Sequence, residues 1–182
     1  MPHTFRTAPS GDRALVYDSL ERLAKRELTP RIFSIAPHEV RLSAPIVIFN
    51  LHGSKFEESR SLVAAVESGL WYLVYEGKRA VAAVEIHVTP DGTLVLANIN
   101  HGKYVQSAAT VLNRLNSLAT IRNEAFEVRL LRSVAHRLVA IWLSSPVSTG
   151  YIYPLHPLPA GLRQSRLMKT DRFLNWAARE GR

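Results

Sequence analysis

The chain has 182 residues and a formal charge of +8, from 23 Lys and Arg against 15 Asp and Glu. That length normally gives one domain, and 47% hydrophobic with 21% charged residues excludes disorder as the dominant state. The absence of cysteine excludes disulfides, zinc–thiolate sites and thiol catalysis.

The first ten residues read as a loose leader. Ser10 or Asp12 is placed to cap a helix reaching Leu28, with Val16, Leu20, Leu23 and Glu27 at helical spacing. Thr29-Pro30 stops it, because the residue before proline is pushed out of the α region. Pro37 to Ala44 holds a short alternating strand with Val40 and Leu42 on one side. Pro45 introduces the buried strand Ile46-Val47-Ile48-Phe49. A helix is expected from Phe56 to Gly69, carrying Leu62, Val63 and Val66, with Glu57-Glu58 in its first turn favouring the dipole. Trp71 to Tyr75 and Ala80 to Val88 read as paired strands around Glu76-Gly77-Lys78. Pro90-Asp91-Gly92 then turns into Thr93 to Ile99.

Tyr104 to Ala119 has the spacing of a helix, with Val105, Ala108, Val111, Leu112 and Leu115 on one face. Strands follow at Ala125 to Leu131, Arg137 to Leu143 and Gly150 to Tyr153. Residues 146–168 form a proline-rich extended segment, and Thr170 or Asp171 opens a closing helix with Phe173, Leu174 and Trp176. The whole reads as a single α+β domain, a largely antiparallel sheet with helices packed on one face. From Phe56 onward the order helix, three strands, helix, three strands, helix is similar to that of small secretion-chaperone folds. The likeness is one of element order, and those chaperones are usually acidic whereas this chain is basic.

An internal echo runs through this order. Asn50-Leu51-His52-Gly53-Ser54-Lys55-Phe56 resembles Ile99-Asn100-His101-Gly102-Lys103-Tyr104 with one residue deleted. Each segment follows an apolar strand and precedes a helix, as in a duplicated strand–helix–strand–strand unit. The two corners, His52-Gly53-Ser54-Lys55 and His101-Gly102-Lys103, are the ligand-site candidates. A glycine turn, free N–H groups at a helix start and a lysine suit a small anion. Neither is a Walker loop. The blander account is that glycine permits the turn and lysine is solvated, and it is favoured.

Other motifs are weaker. The seven histidines show no metal spacing, so no metal or cofactor is expected. Glu85 and His87 share a strand face and have the makings of a proton-transfer dyad, but a polar outer face opposite Val84, Ile86 and Val88 is the favoured reading. There is no Gly-x-Ser-x-Gly elbow. The C-terminal segment holds Arg163, Arg166, Lys169, Arg172, Arg179 and Arg182 against Asp171 and Glu180, half of the formal excess. With Phe173 and Trp176 among these charges, base stacking plus phosphate contact is the nucleic-acid reading; a docked helix with solvated arginines is the plainer one. Arg122, Arg129, Arg132 and Arg137 form a second basic group. Because Arg129 and Arg132 fall on opposite faces of one strand, that strand is expected at an edge or interface. The three tryptophans are expected in the core.

The opening Met1-Pro2-His3-Thr4-Phe5-Arg6 lacks a signal-peptide apolar region, and no run is long enough to span a membrane. A cytoplasmic, bacterial-type protein without membrane insertion is therefore expected. With no catalytic constellation, the favoured function is non-enzymatic protein binding or an adaptor role, including self-association as a homodimer. Nucleic-acid binding through the arginine clusters is the first alternative, and anionic-ligand binding or catalysis at the His-Gly corners the second.

Overall fold

Short aliphatic runs separated by Gly, Pro and Asp turns leave the backbone little choice but to pair in strands, and the computed structural model places them all in one sheet. It describes residues 4–25, 39–118, 124–162 and 165–180, without the side chains of Ser54, Lys55, Glu57 and Asn116. The strands are β1 (Arg41–Leu42), β2 (Ile46–Leu51), β3 (Ala65–Glu76), β4 (Arg79–Val88), β5 (Leu94–Asn100), β6 (Glu127–Ser133), β7 (Leu138–Ser144), β8 (Tyr151–Pro154) and β9 (Met168–Lys169). Their order is β5-β4-β3-β2-β6-β7-β8-β9, with β1 also pairing β3. Every pairing among these strands is antiparallel except β2 with β6. Thr4 adds a parallel bridge to Glu127. Pro45 breaks what is otherwise one strand into β1 and β2, because proline offers no ladder donor. Ser43 spans the break: its N–H donates to Leu73 O at 2.9 Å, and its Oγ accepts from Leu73 N–H at 3.0 Å.

The helices are α1 (Asp12–Ala24), α2 (Gly53–Ser59), α3 (Lys103–Arg114) and α4 (Thr170–Glu180). The α+β class and the largely antiparallel sheet match the sequence reading. The helices, however, cover both faces rather than one. On one face, α3 lays Val105, Ala108 and Val111 against Ile46, Ile48, Trp71, Leu73 and Leu130. The residues between these on the strands, including Val47, Leu70, Tyr72 and Val84, meet Val16 and Leu20 of α1 on the other face. There α4 also packs Phe173 and Ala177 on Leu131, Ala140 and Ile152. Strands buried on both sides read as continuous apolar runs rather than alternating ones, which hid the second helical layer.

Two further expectations are corrected. The helix over Phe56 to Gly69 is instead the short α2, a single 3₁₀ turn at Leu62–Ala64, and the first residues of β3. Arg60 ends α2 in the left-handed region, at φ 46°. From Ala65 onward the backbone pairs with β2. Val63 and Val66, which imitated a buried helical stripe, are 91% and 46% exposed. The same shift puts Glu57 and Glu58 in the second half of α2, not its first turn. At α1 neither Ser10 nor Asp12 caps; Gly11 does, with φ 88° and no side-chain bond. Asp12 is buried and accepts the Tyr72 hydroxyl; burial of the phenol, and then this bond, raises it above its ordinary value. Glu27, Leu28 and Thr29-Pro30 lie outside the described residues. No helix among those described is long and apolar enough to cross a membrane.

Candidate functional site

The two His-Gly corners occupy different surroundings. His52 and Gly53 open α2, which is only seven residues long, and a Cβ on Gly53 would lie 3.1 Å from the Ala135 side chain. Close packing against the β6–β7 turn therefore accounts for that glycine. Of Ser54 and Lys55 only the helical backbone is described. His101, Gly102 and Lys103 are exposed at the start of α3, where Gly102 has φ 102°. Because β2, β3, β4 and β5 alternate in direction, the C-terminal ends of β2 and β5 point to opposite ends of the sheet. The two corners thus form no common site. β2 pairs directly with β3, whereas β5 and β6 are separated by three strands.

The C-terminal basic residues do converge. Arg166, Lys169, Arg172, Trp176 and Arg179 line one open cleft of about 920 Å³, together with Asp171 and Glu180. Arg163 lies outside the described residues. Trp176 is half-buried, its ring 5.7 Å from Phe173 and 6.0 Å from His136. His136, whose role the sequence did not reveal, is buried between Ser133 Oγ at 2.7 Å and the carbonyl of Ala177 at 3.1 Å. It ties the β6–β7 turn to α4.

The second arginine group divides. β6 is not an edge strand; it lies between β2 and β7. Opposite-facing arginines are tolerated there because each has a carboxylate on its own face. Arg129 donates to Glu127 from Nε at 3.1 Å and from Nη2 at 2.5 Å. Arg132 reaches Glu85 with a bidentate pair, Nη1 to Oε2 at 2.7 Å and Nη2 to Oε1 at 2.9 Å, and its Nε donates to Asn50 Oδ1 at 3.1 Å. Glu85 and His87 do share a face, with Nε2 of His87 2.9 Å from Glu85 Oε1. Glu85 is nevertheless 3% exposed rather than solvated, because Arg132 crosses β2 and β3 to meet it. Gly69 of β3 leaves room: a Cβ there would sit 2.8 Å from His87 Cδ2 and 2.3 Å from Ile86 O. Tyr104, stacked on Trp71 at 6.3 Å, closes the network toward α3. Its burial, with Glu85 adding to it, pushes the phenol up to about 12.

What the sheet leaves free is β5. Its sequence, Leu-Val-Leu-Ala-Asn-Ile-Asn, carries no charge and no proline, and among the described residues only β4 pairs with it. Val95 and Leu96 are 38% and 40% exposed, beside Val88 of β4. Behind the strand, Leu94 and Ile99 pack on the α1 side, and Asn98 donates to Asn100 Oδ1 at 3.2 Å. The opposite edge is the two-residue β9, which ends in Lys169 and runs straight into α4. Short length and lysine are the usual protections of an edge, and β5 has neither. Among the described residues no three His, Asp or Glu gather as a metal site. No family model matches the chain, and no curated protein or solved structure matches it.

Proposed function

We propose that this is a non-enzymatic protein-binding module that receives an extended segment of another polypeptide as an added strand along β5. The single supporting observation is the seven-residue, uncharged, largely aliphatic edge packed from behind against α1. Strand addition takes its affinity from main-chain hydrogen bonds and its specificity from alternate side chains. The excess of +8 favours a neutral or acidic partner segment over a second copy of this basic chain. The test compares the protein with its Val95→Lys/Leu96→Lys variant in capture from native lysate, after nuclease treatment and at moderate salt. The partner is expected to be lost from the variant, and the Leu94–Asn100 amides are expected to exchange more slowly in the complex. A partner held equally by the variant, or unchanged β5 exchange, overturns the reading.

A second reading rests on a separate observation, the convergence of Arg166, Lys169, Arg172 and Arg179 around Trp176. It assigns a single-stranded nucleic acid to that cleft. Affinity for an oligonucleotide that falls steeply with salt, and weakens in Arg172→Gln/Arg179→Gln, supports it; salt-insensitive or absent binding removes it.

A further inference from the structure

The two sides of β5 are unlike. Its register with β4 places Leu94 beside Val88, Leu96 beside Ile86 and Ile99 beside Val84 on one side of the sheet. On the other side Val95 pairs with His87, Asn98 with Glu85 and Asn100 with Ala83, and Ala97 stands unpaired at a bulge. The first side faces α1, since Leu94 and Ile99 pack in the cluster that Val16 and Leu20 fill. Its β5 residues are all aliphatic. The second is the α3 side, to which Ala83 belongs, and two of its three β5 residues are amides.

Shelter differs in the same sense. α1 packs over β5 and less extensively over β4. A helix is about 10 Å across, and the next strand position lies about 4.8 Å away, so α1 overhangs a strand added outside β5. α3 begins at Lys103, just past the end of β5, and packs instead on β4 and β7. The added strand is therefore open to water on that side, where Asn98 is exposed. A strand covered on one face only favours alternation of apolar and polar residues. Charge adds a sign to the polar positions. Glu85 is the one carboxylate that β4 and β5 contain, and it is buried against Arg132 and His87. His101 and Lys103 stand exposed beyond Asn100, so this side offers a free cation and no free acid of its own strands.

We propose, on the footing of strand addition at β5, that the added segment is an acidic, alternating one. Aliphatic residues at every second position pack on Leu94, Leu96 and Ile99 beneath α1. Asp or Glu, with Ser or Thr, occupy the intervening positions beside Asn98 and Asn100. A second copy of β5 brings amides rather than acids to the open side, and a uniformly apolar strand leaves half of its side chains in water there.

Selection of displayed random peptides of the same length as β5, against the full chain at moderate salt, tests this. Enriched sequences are expected to carry Val, Ile or Leu at every second position and acids among the rest. They are expected to be lost from Val95→Lys/Leu96→Lys, although that variant is more basic. For one enriched peptide made synthetically, Leu96→Gln and Asn98→Asp are each expected to weaken binding by about tenfold. Asn98→Asp should leave the analogue with Gln for each acid within about twofold. Enriched peptides that protect the Leu94–Asn100 amides but lack alternation or acids, or an Asn98→Asp variant that holds the acidic peptide unchanged, overturn the inference and leave strand addition standing. No enrichment, or enrichment that Val95→Lys/Leu96→Lys retains, overturns both. Protection of these amides in the concentrated chain alone assigns the edge to a second copy and overturns the inference.

Discussion

Removing Arg132 tests whether the buried carboxylate of Glu85 depends on a cation three strands away. In Arg132→Met the carboxylate, whose side chain is 4% exposed, loses both guanidinium bonds and keeps, among the described residues, His87 alone. Breaking a buried pair by deleting one partner costs about 3–5 kcal/mol. The Arg132 side chain is 29% exposed, so water reaches part of the gap and a loss of about 3 kcal/mol is expected. At roughly 2–4 °C per kcal/mol for a chain of this size, the melting temperature should fall by roughly 6–12 °C. Calorimetry and urea unfolding give the two numbers independently. The decisive comparison adds Glu85→Gln to Arg132→Met. Once the orphaned charge is gone, the double variant should recover about half or more of the loss, a non-additivity confined to contacting residues. A single variant within about 0.5 kcal/mol of the parent, or a double variant no better than the single, refutes the argument.

Gly69→Ala should destabilise by about 2–3 kcal/mol, since its Cβ would press on the Ile86 carbonyl at 2.3 Å, and backbone there has no room to yield. Chemical denaturation measures this, and a near-neutral result would mean that β3 and β4 separate more easily than their pairing implies. Tyr104 titrates at about 12 in the folded chain against 10.0 ordinarily. The stability it adds is therefore complete below about pH 10 and is lost as pH rises toward 12. Tyr104→Phe has no such proton, so urea midpoints should decline less between pH 9 and 11 than in the parent; parallel declines would contradict this. Val95→Lys/Leu96→Lys should keep stability within about 0.5 kcal/mol, as exposed positions do, and a large loss would show that β5 is needed by the core itself.

The strands were legible where local signals agreed. Gly77 turns the β3–β4 hairpin in the left-handed region at φ 57°, and Asp91 holds the next turn by accepting from Thr89 and Thr93, contacts that keep its carboxyl below the ordinary range. The amphipathic spacing of α3 and α4 also declared itself. The beginning of β3 did not, because Val63 and Val66 stand at helical spacing beside the buried Leu62 while themselves facing solvent. The environment of Glu85 was hidden for a different reason. Glu85–His87 looks like a solvated strand face in any local window, and only the meeting of β6 with β2 brings Arg132 to it. Likewise, the same mixed pattern that suggested an edge for β6 is what two ion pairs on opposite faces of a central strand require. β5 was legible as a strand after the Pro90-Asp91-Gly92 turn, but its position at the unprotected end of the sheet is a property of topology.

The one parallel pairing among the nine strands, β2 with β6, has a consequence for how the chain finds its structure. The strands on either side of it are mostly joined to close neighbours in sequence, so each half of the sheet forms by short loop closures. The seam joins residues such as Asn50 and Arg132, 82 positions apart, and Thr4 reaches Phe126 across 122. Closures of that length are entropically costly and slow. The halves are therefore expected to assemble before the seam closes, leaving the unpaired edges of β2 and β6 as the stretch a nascent chain must keep from other partners longest.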